Sequence, residues 1–494
     1  MLSPNLLQRE RMSTVDTAWL RMDSDGNLMM IVSVLMFDRP LDLARFKRTM
    51  KLRFLSYSRF RSRVVQDLAG AWWEEQGVDL GHHIVQVRLA ATRGESNKPA
   101  LEALVGELSA TALDPDQPLW QMHVVDHCVG EDGGVRQAVI IRIHHCIADG
   151  IALVGVLLSM FDATREASLA GGAEVEEAAQ EEEAETPTED EDNPWNELLQ
   201  PVTRTTISAI NMSTSMMTRY LWSMAESNRM IARFADMAQI GGKLTQDAVK
   251  LVAMTEDSRT RLKGVPQGVK RVAWSEPLPL ADIKAVGKVF NASINDVLMS
   301  SVAGAVGAYL REKGDDVPLD TELRAMVPVN LRKSSRREKL GNAFGLVPLV
   351  LPVGIEDPLA RLAEVHARMD ELKGGYQALV AMAVLGVLGA TPKQVQNEIQ
   401  NYFARKATAV MSNVPGPQAP LYLAGSRLDQ IMFWVPQSGD IGVGVSILSY
   451  NGGVQFGIVV DSAIADDPEQ IIERFAPEFD KLVLLALMSE WPEE

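Results

Sequence analysis

The sequence predicts an α/β protein of two lobes, and three observations carry that prediction. Strand-like and helix-like hydrophobic patterns alternate on both sides of a central break. The break is a run of acidic residues with almost nothing to bury. Close to the end of the chain, Asn451-Gly452 separates two apolar runs, the sequence signature of a tight hairpin.

Residues 1–165 form the first lobe. Ser13 and Asp16 read as a capping box ahead of Ala18, Trp19 and Leu20. A strand follows at Leu28–Phe37, then a helix at Leu43–Phe54. Trp120–Val125 and Ala138–His145 read as two further strands, and Ile151–Phe161 as an apolar helix. Residues 166–203 carry 13 Asp and Glu and no Lys or Arg. The remaining 456 residues hold 48 basic side chains against 52 acidic ones, so most of the net charge of −17 lies in this one segment. Such a segment repels itself and is expected to be a disordered linker, with an acidic interaction tail as the alternative.

Residues 204–494 form a helical segment and the second lobe. Ile207, Ile210, Met217, Leu221, Met224, Ile231 and Phe234 recur at helical spacing, a Met-rich pattern suited to core packing or to a site for flexible apolar chains. A helix at Ile294–Leu310, strands at Leu323–Val329 and Leu346–Val353, and the hairpin Gly442–Tyr450/Val454–Val460 complete the pattern. Two lobes of this kind leave a cleft between them, the usual place for a ligand.

The excess of acid argues against a nucleic-acid binder, which needs clustered Lys and Arg. Because the body outside the linker is nearly neutral, that exclusion rests more on the motifs below than on charge. Cys128 and Cys146 are too few for a disulfide framework, which fits a reducing, cytoplasmic setting. Met1–Arg11 has no apolar h-region, so no signal peptide is expected. The longest apolar run, Ala378–Ala390, falls short of the roughly 20 residues that span a bilayer and is expected to be a buried helix, with a surface that rests on lipid as the alternative. No G-x-S-x-G elbow, Walker loop or G-x-G-x-x-G fingerprint occurs.

The chemistry concentrates in Ala138–Phe161: an apolar strand, two histidines, a turn with Asp149 and Gly150, and an apolar helix. Side chains alternate along a strand, so His144 and His145 are expected to face opposite sides. One of them can serve as a base near neutral pH. Asp149 can cap the following helix or hold a neighbouring Arg or His. A strand–turn–helix with two satisfied histidines and an N-cap remains the bland alternative. Adjacent strand histidines diverge, so no metal site is expected. Cys146 reads as a small buried thiol, with attack on a thioester as the alternative.

The run His144-His145-Cys146-Ile147-Ala148-Asp149-Gly150 matches the HHxxxDG signature of the superfamily of chloramphenicol acetyltransferase-like enzymes and nonribosomal peptide condensation domains. Further segments resemble the bacterial wax ester synthase/diacylglycerol acyltransferase family. They are Leu2-Ser3-Pro4 with Asp16, Pro118-Leu119-Trp120, Asn295-Asp296, Val327-Pro328-Val329-Asn330-Leu331-Arg332, Gly341-Asn342 and Ser412-Asn413-Val414-Pro415-Gly416-Pro417. Their order spans nearly the whole chain.

That resemblance implies two chloramphenicol-acetyltransferase-like α/β domains, with mixed sheets, flanking helices and an active-site tunnel between them. It implies His145 as general base, His144 in support, Asp149 in a structural role, and Gly150, Asn295 and Asp296 near the site. The implied reaction moves a long-chain acyl group from acyl-CoA to a fatty alcohol or diacylglycerol, giving wax esters or triacylglycerol. No cofactor is implied, since acyl-CoA is a substrate. The implied setting is cytoplasmic, with peripheral contact at the inner membrane face, lipid droplets or inclusions. A carrier-protein-dependent condensation enzyme and a non-catalytic lipid-surface protein are the alternatives. The basic cluster Arg332, Lys333, Arg336, Arg337 and Lys339 suits CoA phosphates, an anionic membrane or a solvated loop. Met29-Met30 stands where relatives commonly have Met-His, which leaves the substrate range open.

Overall fold

The computed structural model describes residues 9–67, 70–90, 96–130, 133–170, 253–331, 340–372, 377–388 and 393–489. Most of the acidic segment, the Met-rich stretch Ile207–Phe234, the basic cluster 332–339 and Leu2-Ser3-Pro4 lie outside these residues.

In chain order the first half gives β1 (Arg9–Arg11), α1 (Thr14–Arg21), β2 (Met30–Phe37), α2 (Leu43–Leu52), β3 (Ser62–Asp67), β4 (Gly70–Glu75), α3 (Leu80–His83), β5 (Ile84–Arg88), α4 (Lys98–Ser109), β6 (Trp120–Val129), β7 (Val135–His144), α5 (Gly150–Ser159) and α6 (Arg165–Ala170). The second half gives β8 (Lys270–Trp274), β9 (Leu278–Pro279), α7 (Leu280–Phe290), α8 (Ile294–Glu312), β10 (Leu323–Asn330), β11 (Phe344–Leu351), α9 (Pro358–Leu372), α10 (Gln377–Leu388), α11 (Lys393–Ala404), β12 (Ala409–Pro415), β13 (Tyr422–Leu423), β14 (Ser426–Trp434), β15 (Val443–Tyr450), β16 (Gly453–Asp461) and α12 (Pro468–Met488).

The hairpin turn anticipated from sequence forms, and of the capping box only the Ser13 arm does, the Asp16 carboxylate turning instead to Asn342 and Arg59. Ser13 caps α1 through the Asp16 N–H, and Asn451 and Gly452 turn the β15–β16 hairpin with φ of 48° and 79°, the positive pair of a type I′ turn.

The strands form two large mixed sheets. The first runs β13-β14-β2-β7-β6-β5, with only β5 and β6 parallel. The second runs β11-β10-β12-β15-β16-β8, with β9 also on β16 and with β10, β12 and β15 parallel. A small sheet β1-β4-β3 flanks the first.

Alternation along β2 divides its burial between two cores. Ile31, Leu35 and Phe37 join the first-lobe core, whereas Met30, Val32 and Val34 pack in a seam with Val272, Trp274 and Val459 of the second sheet. The seam is close: a Cβ on Gly106 of α4 would stand 2.4 Å from the Lys270 carbonyl of β8. A third core fills the second lobe around α8 and α12.

Two strands, β13 and β14, depart from the sequence reading, which leaves everything after residue 204 on the second side. β14 pairs antiparallel with β2, from Leu428↔Phe37 to Trp434↔Val32, and so completes the first sheet. Its local pattern suits either sheet, and only the long-range pairing decides. The run Ala378–Ala390 is helical through Leu388, with Leu385 and Leu388 buried in the first-lobe core. Among the described residues no single helix is long and apolar enough to cross a membrane.

Candidate active site

β7 lies at the centre of its sheet, between β2 and β6, and both its faces are covered, so it is buried from Gln137 to His144. It ends at His144, opposite Met30. The chain then turns: the His145 N–H donates to the Met29 carbonyl at 2.7 Å and the Ile147 N–H to the His144 carbonyl at 3.0 Å. Asp149 stops the turn and starts α5, its Oδ1 accepting the Ala152 N–H at 2.9 Å.

The other carboxylate oxygen reaches across to the second lobe. Asp149 Oδ2 accepts the Ala343 N–H at 2.8 Å, and the Asp149 N–H donates to the Gly341 carbonyl at 3.2 Å. Between them, Asn342 Nδ2 donates to the His145 carbonyl at 2.9 Å and to Asp16 Oδ1 at 2.8 Å. Arg59 closes the network, pairing with Asp16 at 3.1 Å, donating to the Ile147 carbonyl at 2.7 Å and lying over the Trp73 ring. The Asp149 side chain and the His145 and Ile147 carbonyls are thus held by partners from the Arg59 turn and the segment entering β11.

The two histidines do face opposite ways. The His145 ring stacks on Trp19 with centroids 4.1 Å apart and 17° between planes, and Phe344 tilts against it at 5.4 Å. It is buried, and its Nδ1 has no hydrogen-bond partner among the described residues. Burial pushes its pKa below the ordinary histidine value and outweighs the opposing pull of the Asp149 carboxylate. The ring is therefore neutral at neutral pH.

His144 is tied at both ends. Nδ1 accepts the Cys146 main-chain N–H at 3.1 Å, and Nε2 meets Asp23 Oδ2 at 3.2 Å. Burial pushes its pKa down, while the Cys146 thiol and the Asp23 carboxylate push it up, and the upward pull is the larger. A doubly protonated ring would nevertheless set an N–H at Nδ1 against the Cys146 N–H, so the neutral form protonated at Nε2 fits these contacts. Beside it opens a cavity of about 140 Å³ lined by Leu20, Asp23, Leu28, Met30 and Leu119. Its size is that of a site for a single benzene ring, too small for a long acyl chain. Met30, the departure noted in the sequence, belongs to this side and not to the His145 side.

Gly150 opens α5, and a Cβ there would meet nothing within 4 Å, so packing does not demand the glycine. Asn295 and Asp296 start α8. Asn295 Oδ1 accepts from Asn413 Nδ2 at 2.6 Å, and its buried Nδ2 has no partner among the described residues. Asp296 completes a capping box with Ser293 and meets His366 Nδ1 at 2.8 Å. The hydrogen bonds described for this pair run to second-lobe groups, not to the motif turn. Cys146 is buried and in no disulfide, and among the described residues no cluster of three or more His, Cys, Asp or Glu could hold a metal.

Trp19, Asp23, Arg59 and Phe344 have no place in the sequence reading of the site. Asp16 and Asn342 appear there only as marks of resemblance, without a role.

The family model of the wax ester synthase/diacylglycerol acyltransferase catalytic domain matches residues 12–298, and that of the WS/DGAT C-terminal domain matches residues 340–483. The chain belongs to the wax ester synthase/diacylglycerol acyltransferase family. It is an acyltransferase. A Mycobacterium tuberculosis H37Rv relative named "probable diacylglycerol O-acyltransferase tgs1" is 25% identical over 96% of this chain and 96% of its own length. Another from the same organism, named "putative diacylglycerol O-acyltransferase Rv3087", is 26% identical over 86% of this chain and 84% of its own length.

Two solved structures share the fold. A wax ester synthase/diacylglycerol acyltransferase from Marinobacter aquaeolei VT8 aligns at a TM-score of 0.63 and 18% identity, covering 97% of this chain and 100% of that one. The first condensation domain of the calcium-dependent antibiotic synthetase aligns at 0.54 and 15%, covering 98% and 97%. The family's α/β fold, shared with condensation domains, is the one expected from sequence.

Proposed function

We propose that this acyltransferase transfers a long-chain acyl group from acyl-CoA to the hydroxyl of a fatty alcohol or diacylglycerol, with His145 as general base. The observation that supports this reading best is the state of His145. Its ring is kept neutral by burial, fixed by stacking on Trp19, and carried on a turn clamped from both lobes.

In this reading the enclosed Nδ1 leaves Nε2 to take the proton of the acceptor hydroxyl. The oxygen attacks the thioester carbonyl, the tetrahedral oxyanion collapses to the ester, and CoA leaves as a thiolate that recovers the proton from His145. Holding both substrates in one tunnel between the lobes supplies the proximity for direct transfer without an acyl-enzyme. Asp149 keeps the turn in place, and His144 supports it from behind. Asn295, with its unpartnered buried Nδ2, is the second-lobe group assigned to substrate. Gly150 leaves open space at the head of α5 for substrate, and Asp296 holds the start of α8.

No cofactor enters, because acyl-CoA is consumed as a substrate. The acyl chain and the acceptor are apolar, so we place the enzyme at the cytoplasmic side of membranes or lipid inclusions, where the acceptor partitions. The test is to incubate purified protein with labelled palmitoyl-CoA and either hexadecanol or diacylglycerol and resolve the lipids. Labelled wax ester or triacylglycerol is expected. Failure to form either, with ester appearing only from a carrier-protein-bound donor, would move the chain to the condensation reaction.

A further inference from the structure

The loop Asp23–Met29, between α1 and β2, touches both histidines at one end and the second lobe at the other. Asp23 Oδ1 accepts the Met29 N–H at 2.6 Å, its Oδ2 meets His144 Nε2 at 3.2 Å, and the Met29 carbonyl accepts the His145 N–H at 2.7 Å. At the far end Asn27, fully enclosed, donates from Nδ2 to the carbonyls of Gly439 at 2.8 Å and Ile441 at 3.0 Å. Its Oδ1 accepts from Lys270 Nζ at 2.6 Å, and that ammonium lies 3.6 Å from the Asp461 carboxylate. Asp461 in turn accepts the N–H groups of Gln267 at 3.0 Å, Gly268 at 2.8 Å and Ala463 at 3.1 Å.

The two lobes meet here backbone to backbone. A Cβ on Gly26 would stand 2.8 Å from the Pro266 carbonyl oxygen, and one on Gly268, at a φ of +84°, would stand 2.2 Å from that of Asp25. A displacement of residues 266–270 therefore pushes directly on the loop that carries Asp23 and Met29.

We propose that Asn27, Lys270 and Asp461 form a positioning cluster, through which the setting of the second lobe fixes the orientation of His144 and His145. The proposal rests on His145 being the base. A buried ammonium–carboxylate pair is a poor stabiliser, since well-packed apolar residues often serve stability as well or better. Its value is geometric: it fixes one relative placement of β8, β16 and the loop. Small misplacements of a catalytic group are enough to slow a reaction that depends on near-attack geometry. None of the three residues touches substrate in this reading.

The test compares Lys270→Met, which keeps an unbranched side chain one atom shorter and removes its charge, with Asn27→Ala, which cuts the link to the loop and leaves the Lys270–Asp461 pair intact. Both are measured in the full chain beside His145→Ala, with palmitoyl-CoA and hexadecanol. The expected result is a fall in kcat of about ten-fold or more in both, per folded molecule. KM for acyl-CoA should stay within about two-fold, and the acid limb of the kcat/KM profile should move. Asn27→Ala keeps the proposal testable if Lys270→Met does not fold. Folded variants with parental kcat and an unmoved acid limb, beside an inactive His145→Ala, overturn the cluster alone. A loss of activity that only tracks the folded fraction overturns it too. Turnover retained by His145→Ala overturns the base assignment and the cluster with it.

Discussion

His144 and His145 are neighbours in sequence with opposite surroundings. His145 stacks between Trp19 and Phe344 and leaves its Nδ1 without a hydrogen-bond partner among the described residues, whereas His144 spends both nitrogens on Cys146 and Asp23. The pleat of β7 makes the difference, because it sends consecutive side chains to opposite faces of the sheet. One face meets α1 and the strand β11 entering from the second lobe, and the other meets the loop Asp23–Met29 and a small apolar cavity. A histidine that must accept a proton needs an unoccupied nitrogen and a neutral ring. A histidine that must hold a turn needs the reverse. The same residue type does both jobs one position apart.

The contrast predicts unequal effects. His145→Ala should lower ester formation the most, by roughly 10²–10⁴-fold, the usual contribution of a positioned base. Circular dichroism and thermal unfolding should show the variant folded. Near-parental turnover by the folded variant would remove the distinction between the two rings. Asp149→Ala comes next, because it acts on the turn and not on the proton. It removes a helix cap, about 1 kcal/mol, and leaves the Ala343 N–H without its acceptor, a further 1–3 kcal/mol or so. The melting temperature should drop, kcat should fall by about ten-fold, and Asp149→Asn should recover part of both by restoring one acceptor. Equal damage to melting temperature with no change in kcat per folded molecule would make Asp149 purely a cap.

Much of the first face was legible in the sequence, since it depends on local rules. The strand period sets His144 against His145, and Asp149 at the head of an apolar run announces a cap. What stayed hidden depends on contacts distant along the chain. Arg59 lies 43 residues from Asp16 and 88 from Ile147, Asn342 lies 326 from Asp16, and β14 finds β2 across most of the protein. A local pattern marks Arg59 as one more charged residue, because only the folded chain shows its charge enclosed against Asp16 and Trp73. Asp23 was missed for the same reason. In sequence it is an acidic residue after a helix, and only the turn that brings it to His144 and the Met29 N–H gives it a task.

His144→Ala should come third. It leaves the base in place and deprives the Cys146 N–H of its acceptor, a loss of about 1–3 kcal/mol of stability, with kcat reduced by less than about ten-fold. A reduction as deep as that of His145→Ala would mean that His144 takes part in the proton transfer, and the comparison of the two faces would fail.

The smallest effect concerns stability and pH. Burial lowers the pKa of His145 in the folded chain below its ordinary 6.5, so between the two values the unfolded chain binds a proton that the folded chain does not. The contribution is present in full above pH 6.5 and is lost as pH falls toward the folded value. Denaturant unfolding should therefore show stability declining from pH 7 to pH 5, and His145→Phe, which keeps a ring against Trp19 but cannot titrate, should make that decline shallower, the rest belonging to the buried rings of His83 and His123, whose pKa values burial also lowers. An unchanged slope in His145→Phe would show that the ring is not held neutral by its surroundings, and the acid limb of activity would then have to come from another group. A shallower slope, together with an acid limb of kcat/KM below pH 6.5 in the parent, would assign both effects to one imidazole, because the same proton that destabilises the fold also occupies the nitrogen the acceptor hydroxyl needs.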